Sequence, residues 1–137
     1  MNAKEYLNQT YRIEQRINSK IEQIASLRDL SLKVTATLSD MPKGSRNVHS
    51  KEKIITKIID LENEINADID ALVDLKKEIL SVIKSVDRIE CQTLLEMRYL
   101  CYKSWEQIAI GMGYSLQHIF RLHNKALREV KIKDESK

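Results

Sequence analysis

Apolar or semi-apolar residues recur along the start of the chain at Tyr6, Thr10, Ile13, Ile17, Ile21, Ile24, Leu27, Val34 and Leu38. Most steps are three or four residues, which keeps them on one side of a helix and reads as a heptad-like seam. Ser31 and Lys33 weaken its end. The run Ser39-Asp40-Met41-Pro42-Lys43-Gly44-Ser45-Arg46-Asn47 holds the only proline and the densest polar punctuation, and predicts a loop. From Ser50 a second seam passes through Ile54, Ile58, Leu61, Ile65, Ile69, Leu72, Leu75, Ile79, Val82 and Val86 without a breaker. That pattern predicts one helix of about 35 residues, ~50 Å in length. Two long helices joined by a loop are expected to fold back as an antiparallel, coiled-coil-like hairpin. Ile55, Ile59, Val73, Leu80 and Ile83 lie beside the strict seam. So wide an apolar face needs a third surface, and the expected one is the same hairpin of another copy. The alternative is the chain's own C-terminal segment.

Residues 93–128 change the pattern. A short helix ends in Arg98-Tyr99-Leu100. A second opens at Ser104-Trp105-Glu106-Gln107 and stops at Gly111. Ser104 and Gln107 have the spacing of a capping box. Ile108 and Ala109 face inward, and small Ala109 lets two helices cross closely. Gly111 and Gly113 are expected to supply the positive φ that a sharp turn needs. Ser115 caps a third helix. Along it Ile119, Leu122 and Ala126 make a buried stripe, continued by Leu127 and Val130. The opposite face presents Gln117, Arg121, Asn124 and Arg128, side chains suited to base edges and phosphates. This is the layout of a helix-turn-helix, whose last helix enters the major groove of DNA.

The expected architecture is therefore all-α: a long antiparallel hairpin over 1–86, a three-helix DNA-binding domain over 87–132, and a flexible tail at 133–137. The junction lies near Ser85-Val86-Asp87-Arg88, where Ser85 and Asp87 are both candidate caps, with Glu90 three residues beyond Asp87.

Composition sharpens this reading. Three glycines, one proline and 5% aromatic residues argue against an all-β fold, and 31% charged residues suit long solvated helices. The net charge of +3 is unevenly spread: residues 51–86 hold six basic and eight acidic side chains, whereas 115–133 hold five basic residues against Glu129 alone. A basic last helix fits a protein that meets phosphates at one end, with ~4 contacts and a marked salt dependence. No apolar stretch reaches the ~18 residues of a membrane span. A polar start (Asn2, Lys4, Glu5, Asn8) is unlike a signal peptide, so a cytoplasmic protein of a bacterial host is expected.

Catalysis is not expected. The chain has no Gly-rich phosphate loop and no nucleophile-base arrangement beside a glycine turn. Asp68, Asp70 and Asp74 read as a solvated face, and the Glu62 to Asn66 pair as serving solubility. Cys91 and Cys101 read as buried small apolar residues. His118 and His123 are five apart, where a helical metal pair needs i, i+4, and His49 is expected alone in a loop. Neither metal nor cofactor is expected.

The blocks Leu94-Leu95-Glu96-Met97-Arg98-Tyr99, Ser104-Trp105-Glu106-Gln107-Ile108-Ala109, Met112-Gly113-Tyr114-Ser115, and Ile119, Leu122 and Lys125-Ala126-Leu127-Arg128 resemble region 4 of bacterial sigma-70-type factors. The chain is more similar still to small phage-encoded regulators with a sigma region 4-like C-terminus, the ArpU and DUF1492 type. About 40 of the 137 residues carry the close likeness. It implies a DNA-binding surface of Ser115, Leu116, Gln117, His118, Phe120, Arg121, Asn124, Lys125 and Arg128. In the sigma family the residues just after the cap and one turn later meet bases; those slots hold Leu116, Gln117 and Arg121 here. Leu116, His118 and Phe120 replace frequent basic residues, so the standard promoter hexamer is not the expected target. The resemblance implies a transcription regulator of phage or prophage origin that binds double-stranded DNA, with RNA polymerase a candidate second partner and homo-oligomerisation through the N-terminal helices. The chain is too short to add the domain that melts a promoter, so a complete sigma factor is not expected. The alternatives are a small-terminase-type DNA-packaging subunit, usually built with its DNA-binding unit first, and a protein adaptor that binds polymerase without DNA.

Overall fold

The computed structural model describes residues 1–40 and 45–132, with side chains for 1–36 and 49–132. The tail at 133–137 and the centre of the loop expected around Pro42 lie outside the described residues. The elements are α1 (Ala3–Leu7), α2 (Gln9–Asp40), α3 (Ser45–Lys84), α4 (Ile89–Leu95), a π-helical turn (Glu96–Leu100), α5 (Trp105–Met112) and α6 (Leu116–Glu129). Among the described residues all regular structure is helical, as the seams and the scarcity of glycine and proline require. Helix α3 begins at Ser45, ahead of the expected start at Ser50, so His49 lies on a helix and not in a loop.

Contacts group the chain into two compact units, Glu14–Ala71 and a second made of Met1–Ile13 with Leu72–Lys137. In the first, α2 and α3 pair antiparallel: Lys20 meets Asp68 at 2.7 Å, Arg28 meets Glu62 at 3.0 Å, and Lys51 meets Thr35 at 2.5 Å. Ile17, Ile24, Ile54, Leu61 and Ile65 are buried between them. Ile21 and Ile69, expected in the seams, are instead 50% and 41% exposed. A two-helix seam covers only a narrow stripe, and residues at its edge remain in water. Asp68 is also not on a solvated face, since its carboxylate lies between Lys20 and Arg16. That hydrogen bond holds the Lys20 ammonium above its usual range.

The second unit contains the main core. Helices α4 to α6 supply Cys91, Leu94, Leu95, Ile108, Ala109, Ile119, Leu122 and Ala126. Three helices this short cannot enclose those side chains by themselves. Tyr6 and Leu7 of α1, Ile79, Val82 and Ile83 at the end of α3, and Val86 just beyond it complete the cluster. The chain does break between Lys84 and Ile89, near the expected junction at 86, but the core continues across that break within this unit. Ile83 is thus covered by the chain itself, whereas Ile55, Ile59 and Val73 are not. Neither expected cap forms at the break: the Ser85 hydroxyl donates to the Val82 carbonyl at 2.6 Å, and Arg88 takes the N-cap position without a side-chain capping bond, its guanidinium donating to Glu90 at 3.2 Å. The Gln92 amide instead closes the corner by donating to the Val86 carbonyl at 2.6 Å.

Candidate nucleic-acid interface

The turn ahead of α6 is fixed by local chemistry. The Ser104 hydroxyl accepts from the Gln107 N–H at 3.1 Å, and the Gln107 side chain accepts from the Ser104 N–H at 2.9 Å, so the expected capping box forms. Helix α5 runs to Met112, one residue past the expected stop. Gly113 then takes φ +74°, and Tyr114 N–H donates to the Ala109 carbonyl while Gly113 N–H donates to that of Ile110. These two bonds make a Schellman motif. Gly111, expected to share the positive φ, is helical, and a Cβ there would lie 3.1 Å from Met97 Cε, the tip of a flexible side chain. The Ser115 hydroxyl accepts from the His118 N–H at 3.1 Å and starts α6. The Tyr114 hydroxyl donates to Glu90 at 2.8 Å and ties the turn to α4.

Helix α6 has two unlike sides. Ile119, Leu122 and Ala126 are buried as expected, and His123 joins them. Gln117, Phe120, Arg121, Asn124, Lys125 and Arg128 are exposed, as are Ser115 and Leu116 at its start. His118 is half-buried with its ring 4.3 Å from that of Tyr114, and the Phe120 ring meets Trp105 edge-on at 5.5 Å. Arg121, Asn124, Lys125 and Arg128 line one shallow groove with Glu129, where Arg128 Nε donates to the Asn124 carbonyl at 3.4 Å. The nine candidate residues therefore separate: the amides and cations share one open side, while Ser115 is engaged as a cap and His118 against the turn.

What the sequence pattern missed lies behind that side. His123 shares a 2.6 Å hydrogen bond with the Tyr99 hydroxyl and stands edge-on to Trp105 at 4.7 Å. Burial, helped by the charges of Lys4 and Arg98, lowers its pKa to about 4. Burial likewise pushes the Tyr99 phenol up to about 12. The position had a signal, because 123 is four residues after Ile119 and three before Ala126, on the buried stripe. The π-helical turn had none. It leaves the Tyr99 carbonyl free to accept the buried Thr10 hydroxyl at 3.0 Å, and it feeds Tyr102, a non-glycine residue at φ +58°. The Arg98 guanidinium lies 4.2 Å from the centre of the Trp105 ring, so the π-helical turn and α5 are cross-braced behind α6. Cys91 is buried, which raises its thiol, but Cys101 is exposed, contrary to expectation, because it follows the π turn on the outer side.

The family model described as a protein of unknown function (DUF1492) matches residues 31–131. The chain belongs to the DUF1492 family. The match begins in α2 and extends past α6, so all nine candidate residues of this DUF1492 chain fall inside it. No curated protein and no solved structure matches the chain. Among the described residues no helix is long and apolar enough to cross a membrane, and no group of three or more His, Cys, Asp or Glu side chains is placed to hold a metal ion.

Proposed function

We propose that this chain is a sequence-specific DNA-binding transcription regulator, sigma region 4-like and of phage or prophage origin, that reads the major groove with α6. The supporting observation is the division of α6 into a buried side of Ile119, Leu122, His123 and Ala126 and an open side of Gln117, Arg121, Asn124, Lys125 and Arg128. A recognition helix needs both: an anchored back that fixes its angle, and a front of amides and guanidinium groups. Gln117 and Asn124 suit the paired donor and acceptor of adenine, and Arg121 suits the two acceptors of guanine. Lys125 and Arg128 suit phosphates, where charge positions the helix without reading sequence. Leu116 and Phe120, partly exposed at 38% and 44%, suit thymine methyl groups at the edge of the same face. The phage origin rests on the likeness of the capped turn and its flanking blocks to phage regulators.

Selection of bound fragments from a random DNA pool tests the reading and supplies the site together. The expected result is one enriched motif of a few base pairs whose affinity falls steeply with salt. No enrichment, with no duplex binding even at low salt, overturns it.

One observation favours a second reading, a protein-binding module for RNA polymerase. Ile110 on α5 is 83% exposed, and Phe120 adds apolar surface on α6. Retained polymerase binding by a Gln117→Ala, Arg121→Ala variant, with no DNA binding by either form, selects that reading.

A further inference from the structure

Helix α3 carries a second apolar stripe that its partner in the hairpin does not cover. Ile54, Leu61 and Ile65 are buried, yet Ile55, Ile59, Ile69 and Val73 stand 45%, 50%, 41% and 51% exposed. At about 100° per residue, positions 55, 59, 69 and 73 fall within roughly 40° of one line along the helix. Single exposed aliphatic side chains are ordinary on a protein surface; four on one line make a face. The buried seam of the Glu14–Ala71 unit is thin, so a neighbour on this face has much to add.

The polar residues in the stripe identify that neighbour. Glu62 and Asn66 sit between the Ile55–Ile59 and Ile69–Val73 pairs, and Glu52 and Lys76 extend the line at its ends, with the Lys76 ammonium held 5.3 Å from the centre of the Tyr102 ring. All eight positions then follow one another in alternating steps of three and four, an unbroken heptad series. The series is also a palindrome about residue 64. Ile55 mirrors Val73, Ile59 mirrors Ile69, Glu62 mirrors Asn66, and Glu52 mirrors Lys76. Two identical helices crossing antiparallel about a two-fold axis set each position against its mirror, because reversing one helix exchanges heptad positions a and d. The six inner layers of such a pair match, apolar on apolar and amide on carboxylate. A parallel pair would instead oppose Glu52 to Glu52, Glu62 to Glu62 and Lys76 to Lys76. Arg28 already holds Glu62 at 3.0 Å, so this carboxylate enters an interface with its charge balanced.

We propose that the occupant of this face is a second copy of the chain, docked α3 to α3, antiparallel and centred on residue 64. The pairing gives the hairpin its partner whether or not α6 binds DNA.

Sedimentation equilibrium of the full chain is expected to give twice the 16.0 kDa of one copy. The Ile59→Asp, Ile69→Asp double variant is expected to give a single copy with its helical circular dichroism retained. Register is read by cross-linking in a Cys101→Ser background, which removes the exposed native thiol. An equimolar mixture of Ile59→Cys and Ile69→Cys chains is expected to form a disulfide dimer on mild oxidation, and neither chain alone to do so. A single-copy mass for the native chain, a dimer indifferent to the double aspartate change, or self-cross-linking of Ile59→Cys overturns the proposal.

Discussion

His123 is an unusual choice for the inward side of a helix, since leucine would fill the space without a polar atom to satisfy. Its imidazole is tolerated because the Tyr99 hydroxyl meets it at 2.6 Å, and burial keeps it neutral with a pKa lowered from 6.5 to about 4. In the unfolded chain the ring takes up a proton near its ordinary pKa, and in the folded chain only near 4, so the unfolded state binds more protons between those values. Stability is therefore full above pH 6.5 and drains away as pH falls through that window, by at most about 3 kcal/mol. Urea midpoints taken from pH 7 to pH 4.5 are expected to fall faster for the native chain than for His123→Leu, which has no ring to protonate. Parallel curves would show that the imidazole is already charged in the folded protein. Gly113 is a simpler case. Its φ is +74° and nothing lies within 4 Å of a Cβ placed there, so Gly113→Ala meets backbone strain alone. The expected cost is about 1–2 kcal/mol, seen as a lower melting temperature with the cooperative transition kept. An unchanged melting temperature would mean that the turn relaxes out of the left-handed region.

The elements show which parts of this fold a sequence can carry. The caps at Ser104 and Ser115 and the left-handed Gly113 were legible because each is decided by residues within four positions of itself. The two long helices were legible because their periodicity is sustained. What was hidden depends on partners far along the chain. Thr10 takes up the Tyr99 carbonyl 89 positions away, and Asp68 leaves the solvated face for Lys20 on the other arm of the hairpin. Ile21 and Ile69 fit the seam by spacing, but burial depends on how wide a stripe the facing helix can cover. The candidate interface on α6 was legible as a pattern of amides and cations, while the aromatic bracing behind it was not, because Trp105, Tyr99 and His123 meet only after three elements have packed. Two substitutions on the open side of α6 distinguish reading from positioning. Arg121→Ala is expected to weaken binding to the selected site by about 1–3 kcal/mol and leave random duplex nearly unaffected. Lys125→Ala is expected to weaken both alike and to lower the salt slope by about one unit. Fluorescence anisotropy on both duplexes across a salt series separates the two, and an Arg121→Ala loss shared equally by random duplex would assign that side chain to the backbone of DNA.

At the scale of the molecule, the proposed DNA binding and the proposed α3 pairing bear on the same problem. The chain's net charge is only +3, and most of its excess lies in and after α6, so one copy has few cations to spend on phosphates. A single short recognition helix with that little charge binds a lone site weakly. Joining two copies through α3 changes the arithmetic without adding a contact, because once one α6 is seated the other searches at a high effective concentration. A two-fold dimer also requires two half-sites related by the same symmetry, so the selected motif should recur as an inverted repeat. Separating the copies with Ile59→Asp and Ile69→Asp leaves α6 untouched, which allows affinity and avidity to be measured apart. On a fragment with one half-site the native chain and the double variant are expected to bind equally. On the full inverted repeat the native chain is expected to bind about 10²–10⁴ times more tightly than the variant, with half-site spacing deciding the gain. Equal binding on both fragments would mean that each copy meets DNA alone, and weaker binding of the variant to the single half-site would mean that the α3 face takes part in recognition itself.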